Sequence, residues 1–180
     1  MNLRYFTIGH SNRQWDEFMR LLEDNKIASI ADVRRYPGSR VCPQFNKENM
    51  IRELLIKSIE YRHIEKLGGR RKQSDKTSVY DNSGWQNKSF KFYKDYVVTS
   101  SFKEGIKELL LLLANCDGFL AVMCSEAVPW RCHRRLIADY LIMIEGISVY
   151  NIIGNSKRFK PHKVTSFALR QSDDLVVFPN

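Results

Sequence analysis

The chain has 180 residues, of which 43% are hydrophobic and 27% are charged, which predicts one folded domain and excludes a disordered or disulfide-stapled chain. Lysine and arginine outnumber aspartate and glutamate by 29 to 20, and the net charge of +9 favours an anionic partner. The longest apolar run, residues 109–114, is too short to cross a bilayer, and no signal peptide precedes the first strand pattern. A cytoplasmic protein without a membrane partner is therefore expected.

Strand and helix patterns alternate along the chain. Apolar runs predict strands over residues 3–8, 27–33, 59–64, 119–123 and 147–153. Helical spacing predicts helices after residue 11 and over residues 46–57, 90–97, 102–114 and 129–145. Residues 65–90 are the least regular part, which is typical of a lid or a binding loop, and residues 175–178 are predicted as an edge strand.

Polar residues and proline mark the predicted helix starts. Ser11 and Ser101 each precede a glutamine or glutamate by three residues, which is the capping-box spacing. Pro129 is favourable as a first helical residue. The helix over residues 46–57 is expected to bury Met50, Ile51, Leu54 and Leu55.

This alternation predicts an α/β domain with three layers, in which helices cover both faces of a mostly parallel, Rossmann-like or rhodanese-like sheet. We expect residues 1–153 to form the domain and the basic extension 154–180 to pack on it. Ligands of such sheets bind beyond the carboxyl ends of the strands. That rule singles out residues 9–13, 32–40 and 124–135 as candidate site segments.

The third segment carries the most unusual chemistry. Cys124 follows a buried strand and precedes a helix N-terminus, where a thiolate is stabilised and oxyanions bind. Cations crowd the first two turns of that helix, against the helix dipole, at roughly 0.3–1 kcal/mol each. They are Arg131, His133, Arg134 and Arg135. A bound anion would reverse this penalty, so the pattern predicts an anion site beside Cys124 as nucleophile or redox thiol.

Alternatives stay open for the same residues. Glu126 is a candidate proton-transfer group, or else it neutralises a neighbouring arginine. Cys132 and His133 lie beside the predicted buried stripe of the helix, so core packing explains both as well. Cys124, Cys132 and His133 are also suitable zinc or iron ligands, although their spacing fits no standard zinc finger. No cofactor is otherwise predicted.

The first two segments add further candidates. His10 is expected to project from a strand end toward the site, and Ser11 to support it as a helix cap. Asp32 ends a buried strand and is suited to orient an arginine or cap a turn. Arg34 and Arg35 are candidate anion ligands beside Tyr36, whose ring is suited to stack on a base. A solvated basic loop is the alternative.

Three motifs together resemble a known family. They are TIGHSN at residues 7–12, IADVRRYPGSR at 30–40 and MCSEAVPWRCHRR at 123–135, supported by PQFN at 43–46 and LGGRR at 67–71. They are similar to the uncharacterised family called domain of unknown function 488, over about residues 3–153. The resemblance implies a single domain and one shared site, but no reaction. It assigns to that site His10, Arg34, Arg35, Cys124, Glu126, Cys132, His133 and Arg134. Cys42 is left out, because members often carry another polar residue there.

Two other likenesses are weaker. Asp32 and Arg34 at one strand end and a cysteine at a later one are similar to rhodanese-type sulfurtransferases. Cys124 and Arg131 are six residues apart, one more than the spacing of tyrosine phosphatases.

Our leading interpretation is a cysteine-dependent enzyme with a phosphate or sulfur-oxyanion site, acting on a nucleotide, nucleic-acid or other phosphorylated substrate. His10, Glu126 or His133 would transfer protons, and Arg34, Arg131 and Arg134 would bind anionic oxygens. The alternatives are a non-catalytic nucleic-acid-binding domain and a Cys/His metalloprotein.

Overall fold

The protein folds around one central sheet. The computed structural model describes residues 4–72, 85, 88–154 and 159–179. Within them six strands pair in the order β3-β2-β4-β1-β5-β6. The strands are β1 (Arg4–Gly9), β2 (Ile27–Asp32), β3 (Glu60–His63), β4 (Phe119–Cys124), β5 (Ser148–Ile152) and β6 (Phe159–Pro161). The first five are mutually parallel and β6 is antiparallel to β5, so the predicted mostly parallel sheet is confirmed.

Helices cover both faces of this sheet. One hydrophobic core lies under α1 (Trp15–Asp24) and α2 (Lys47–Ile56), and takes Phe6 and Met123 from the sheet. The other lies under α3 (Lys88–Val97), α4 (Ser100–Ala114) and α5 (Arg134–Met143), and takes Tyr5 and Cys124. Successive strand residues point to opposite faces, which is why one strand serves both cores. The three-layer α/β fold is thus confirmed.

The last described part of the chain packs against the second core, whereas β6 joins the central sheet and its Phe159 contacts Phe6 of the first core. Strands β7 (Leu169–Ser172) and β8 (Leu175–Val177) form an antiparallel pair. Val176 and Phe178 are buried in the same core as α5. The edge strand predicted near the C-terminus therefore exists, but its partner is β7 and not the central sheet.

The predicted caps at Ser11 and Ser101 are wrong. Helix α1 begins four residues after Ser11, whose backbone has a φ of 51° and whose hydroxyl donates to the Asn12 side chain. Helix α4 begins at Ser100, and the Thr99 hydroxyl oxygen accepts the Phe102 amide at 3.3 Å. Several polar residues precede each helix, and which one caps it depends on where the extended chain turns.

Two further expectations are corrected. Ile51 and Leu55 are 44% and 73% exposed, because α2 lies beside the edge strand β3 and buries only a narrow stripe. The helix expected over 129–145 is interrupted: a 3-10 turn spans Pro129–Arg131, and α5 starts at Arg134. Of the irregular stretch 65–90, a 3-10 turn at Glu65–Leu67 is described, and residues 73–84 and 86–87 lie outside the described part. No helix in the described ranges is long and apolar enough to cross a membrane.

Candidate functional site

The candidate site lies between the carboxyl ends of β1 and β4. These strands are neighbours, but α1 leads from β1 to β2 and α5 leads from β4 to β5, toward opposite edges and opposite faces of the sheet. Connections that diverge in this way open a crevice where ligands of parallel sheets bind. The two strand ends stay joined below it, because the His10 and Ser11 amides donate to the carbonyls of Cys124 and Ser125 at 3.0 and 2.9 Å.

Gly9 makes this close approach possible. A Cβ atom at this position would overlap the Glu126 carbonyl group. The loop after β4 can therefore cross directly over the end of β1. A side chain at residue 9 would lift that loop and change the crevice above it.

A cavity of about 570 Å³ occupies the crevice. Its lining includes ten of the predicted site residues, from all three predicted segments. They are His10, Ser11, Arg34, Arg35, Tyr36, Cys124, Glu126, Arg131, Cys132 and His133. Asp32 and Arg134, the other two, are buried at 0% and 1% exposure and support the wall. The structure thus brings the candidates together at one cavity.

Asp32 holds Arg34 in the wall of this cavity. Its Oδ1 accepts hydrogen bonds from the Arg34 amide and Nε at 3.0 and 2.9 Å, and its Oδ2 accepts from Arg34 Nη2. The Tyr61 hydroxyl donates to the same Oδ2 at 2.6 Å. Burial and the Asp32 carboxylate raise the pKa of Tyr61, so it stays a donor. Asp32 therefore orients Arg34, one of the roles that the sequence suggested, and leaves only part of this guanidinium for a ligand.

His10 is a neutral ring with both nitrogens engaged. Its Nδ1 lies 2.7 Å from the Ser11 carbonyl oxygen, to which it can only donate. Its Nε2 therefore accepts from Arg34 Nη1 at 3.2 Å. Burial and the Arg34 charge lower the pKa of His10 to about 4. This arrangement favours a positioning role over the proton transfer expected from the sequence.

The sulfur atoms of Cys124 and Cys132 and one nitrogen of His133 all lie within 4.8 Å of one another. His133 Nε2 lies 3.0 Å from the Val33 carbonyl oxygen and so donates to it. Its Nδ1 then carries a lone pair, which accepts from the Cys132 thiol at 3.6 Å when that cysteine is protonated. The ring packs against Tyr93, with 4.8 Å between the ring centroids. The cluster thus combines two thiols with a fixed base whose lone pair faces them.

The two thiols differ in acidity. Burial alone would raise the pKa of Cys132, but the hydrogen bond from the Cys124 thiol and the Arg134 guanidinium outweigh it and hold that pKa well below its usual range. Donating this hydrogen bond, together with burial, raises the pKa of Cys124. The Arg134 contact therefore favours Cys132 as the more easily ionised thiol, whereas the sequence analysis gave that role to Cys124.

Arg134 is the physical reason for this difference. The sequence offered it no partner, but its Nε donates to the Cys132 sulfur at 3.4 Å and its Nη2 donates to the Glu126 carbonyl oxygen. The guanidinium lies beneath the cavity wall, so it stabilises a thiolate and does not reach a ligand. Arg131, on the 3-10 turn, is exposed and lines the cavity. Arg135 points away and donates to the Thr165 hydroxyl.

Three lining residues were missed or set aside. Cys42, which the sequence analysis left out of the site, lines the cavity with its sulfur 3.8 Å from the Ser11 carbonyl oxygen. Arg70, in the LGGRR motif, also lines the cavity. Tyr93 carried no signal, because an aromatic residue at helical spacing indicates only core packing. Glu126, a predicted site residue, has its Oε1 3.4 Å from the Val128 amide.

The chain belongs to the family described as domain of unknown function DUF488, whose model matches residues 14–141. The resemblance drawn from the three motifs is thus confirmed. The matched range contains Asp32, Arg34 and the whole cysteine segment. No curated protein matches the chain, and no solved structure matches it either.

Proposed function

We propose that this protein is a cysteine-dependent enzyme that acts on an anionic substrate, with Cys132 as the attacking thiolate. The observation that carries the proposal is the position of the Cys132 sulfur. It lies between the Arg134 guanidinium, the Cys124 thiol and the imidazole of His133, and it lines a cavity of about 570 Å³. A thiolate is the reactive form of cysteine, and hydrogen bonds from a fixed cation favour it.

We expect a negatively charged substrate, because arginines line the cavity. Arg35, Arg70 and Arg131 line the cavity at its exposed side, and Glu126 is the single carboxylate among its described lining residues. Arginine binds carboxylates and phosphates through paired N–H groups. The cavity volume lies within the range of small-molecule sites. A nucleotide, another phosphorylated compound or a sulfur oxyanion fits this chemistry.

The test is the pH dependence of alkylation by iodoacetamide at each cysteine, followed by mass spectrometry of the folded protein. Cys132 should show an inflection at least one pH unit below the ordinary thiol value near 8.5. Cys116, which does not line the cavity, is the internal reference. Inorganic phosphate should slow the reaction at Cys132 and leave Cys116 unchanged. An ordinary inflection at Cys132 would overturn the proposal.

A matched pair of variants identifies the thiol. Cys132→Ser should remove the low-pH inflection from the protein, whereas Cys124→Ser should keep a reactive Cys132 whose inflection moves upward, because one hydrogen bond to the thiolate is weakened. Circular dichroism of both variants checks that the fold persists. If the low-pH inflection instead disappeared only with Cys124→Ser, the nucleophile would be Cys124.

A metal centre is the second candidate, because the three donor atoms are already close. The distance of 3.6 Å between the Cys132 sulfur and His133 Nδ1 is close to the separation of about 3.5 Å between such ligands on tetrahedral zinc. The Val33 carbonyl would fix the orientation of the imidazole by accepting a hydrogen bond from its Nε2. Cys124, Cys132 and His133 would hold the ion and leave a fourth position for substrate or water. Protein purified without chelator should then carry about one zinc per chain, lost in Cys132→Ser.

Nucleic-acid binding stays a prediction. If the basic cavity mouth binds single-stranded DNA or RNA, affinity should fall steeply with salt, because condensed counterions are released on binding. Salt-independent binding, or none, would leave a small anionic substrate.

A further inference from the structure

We propose that Cys124 is the resolving thiol for Cys132, so that the site reduces a disulfide that carries negative charge. This inference rests on the proposed function and names its substrate class. It depends on the placement of the two sulfurs in one cavity and on the imidazole that lies against them.

The two cysteines are placed for disulfide formation. Cys124 ends β4, and Cys132 follows the 3-10 turn that leads into α5. Their side chains belong to the same core, their sulfurs lie within 4.8 Å, and both residues line the cavity. A disulfide needs an S–S distance of about 2.05 Å, so the two side chains must move toward each other from here. Neither thiol is in a disulfide in the structure.

The order of the two steps follows from the hydrogen bonds. Cys132 attacks first, because Arg134 stabilises its thiolate. The Cys124 sulfur lies 3.9 Å from the Ser125 hydroxyl, a neutral group, so Cys124 follows as the second thiol. The two sulfurs lie within 4.8 Å of each other, which places Cys124 beside a mixed disulfide formed on Cys132.

His133 is the acceptor of the Cys124 proton. Its Nε2–H is held by the Val33 carbonyl, so Nδ1 is the nitrogen with a free lone pair. One nitrogen of this ring lies within 4.8 Å of the Cys124 sulfur. Gly69 lies against the imidazole and leaves no space for a Cβ atom there, which keeps the ring in place.

The chemistry balances without a cofactor. The Cys132 thiolate attacks one sulfur of the substrate, forms an S–S bond to it, and releases the other half as a thiolate. Cys124 gives its proton to His133 and attacks the Cys132 sulfur, which forms the Cys124–Cys132 disulfide and releases the second half. The substrate gains two electrons and the two cysteines lose them. An external dithiol then reduces the protein for the next turnover.

The test uses 5,5′-dithiobis(2-nitrobenzoate), a dianionic disulfide, on protein in which Cys116 is replaced by serine, with a chelator present and peptide mass spectrometry to assign each sulfur. In the fast phase this protein should release two equivalents of thionitrobenzoate and form the Cys124–Cys132 disulfide. Adding Cys124→Ser should give one equivalent and a stable adduct on Cys132. Adding Cys132→Ser should remove the fast phase.

The failures of the two proposals are distinguishable. If Cys132 reacts no faster than an ordinary buried thiol at pH 6, the proposed function fails. If Cys132 reacts rapidly but keeps its adduct while Cys124 is present, the resolving role is overturned and the thiolate enzyme stands. In the intact chain, dithiothreitol should restore the reactive Cys132 after each cycle. Protein that stays oxidised under excess dithiol would contradict a catalytic dithiol.

Discussion

Two partly buried histidines near α5 show different uses of the same residue type. His133 precedes α5, donates from Nε2 to the Val33 carbonyl and keeps a lone pair toward two thiols at a cavity. His162 lies 2.9 Å from Asp139 Oδ1 through Nε2, and its Nδ1 lies 3.4 Å from Asn151 Nδ2. A smaller cavity of about 280 Å³ lies beside His162, but both ring nitrogens of this histidine already contact Asp139 and Asn151.

We infer from this difference that hydrogen-bonding groups without a fixed partner indicate a functional site better than the residue type does. Asp139 accepts from the amide and hydroxyl of Thr165 at 3.1 and 2.6 Å as well as from His162. This cluster connects the C-terminal segment to α5 and has fixed partners on every side. The cysteine cluster, in contrast, presents two sulfurs and an imidazole to the cavity.

The largest effect on stability should come from the cluster around Asp139, whose carboxylate accepts from both His162 and Thr165. Asp139→Ala removes the shared acceptor of His162 and Thr165 and leaves three buried donors without a partner. Each buried donor left without a partner costs about 1–3 kcal/mol, so the three together make this the largest expected loss. We expect urea unfolding to show that loss, while the alkylation inflection of Cys132 stays where it is in the folded protein. A shift of that inflection with unchanged stability would remove the distinction between the two regions.

His10 provides a sharper comparison, since it lies at the cavity but has both nitrogens engaged, as His162 does. Its pKa of about 4 lies below the unfolded value of 6.5, so neutral His10 stabilises the fold fully above pH 6.5. This contribution is lost as the pH falls toward 4, by about 3 kcal/mol. The destabilisation caused by His10→Asn should therefore shrink by that amount between pH 7 and pH 4 in urea unfolding. A constant difference would contradict a neutral, positioning His10.

The backbone under the cavity should give a smaller effect on stability. In Gly9→Ala, the added Cβ overlaps the Glu126 carbonyl, which also accepts from Arg134. Overpacking of this kind costs about 1–3 kcal/mol. Thermal unfolding should show the loss, and the alkylation inflection of Cys132 should rise because the Arg134 contact is disturbed. Gly38→Ala is the control: no atom lies within 4 Å of its Cβ position, so both readouts should stay as in the parent. Equal behaviour of the two variants would contradict the close approach at Gly9.

The sequence predicted the fold and the meeting of the three segments, because both depend on periodicity and on one rule for parallel sheets. Cys124, Asp32 and His10 could be placed near one another because each lies at or directly after a strand end. Individual roles were harder to predict. Residues 125–133 contain no regular helix beyond the 3-10 turn, so spacing could not show that Arg134 folds beneath Cys132. The acidity of the two thiols depends on that contact.

The smallest effect should come from the exposed side of the cavity. Arg131→Gln removes one exposed charge near Cys132 and leaves the Arg134 contact intact. An exposed charge pair contributes about 0.2–1 kcal/mol, so the rate of alkylation by anionic iodoacetate, relative to neutral iodoacetamide, should fall about 1.4- to fivefold at Cys132. Arg20→Gln on α1 changes the net charge equally but does not line the cavity, and its ratio should stay unchanged. If both variants lowered the ratio equally, the preference for anions would come from the overall charge of +9 and not from a local anion site. A fall in Arg131→Gln alone would place the anion preference at the turn beside Cys132, where two sulfurs and an imidazole face the cavity.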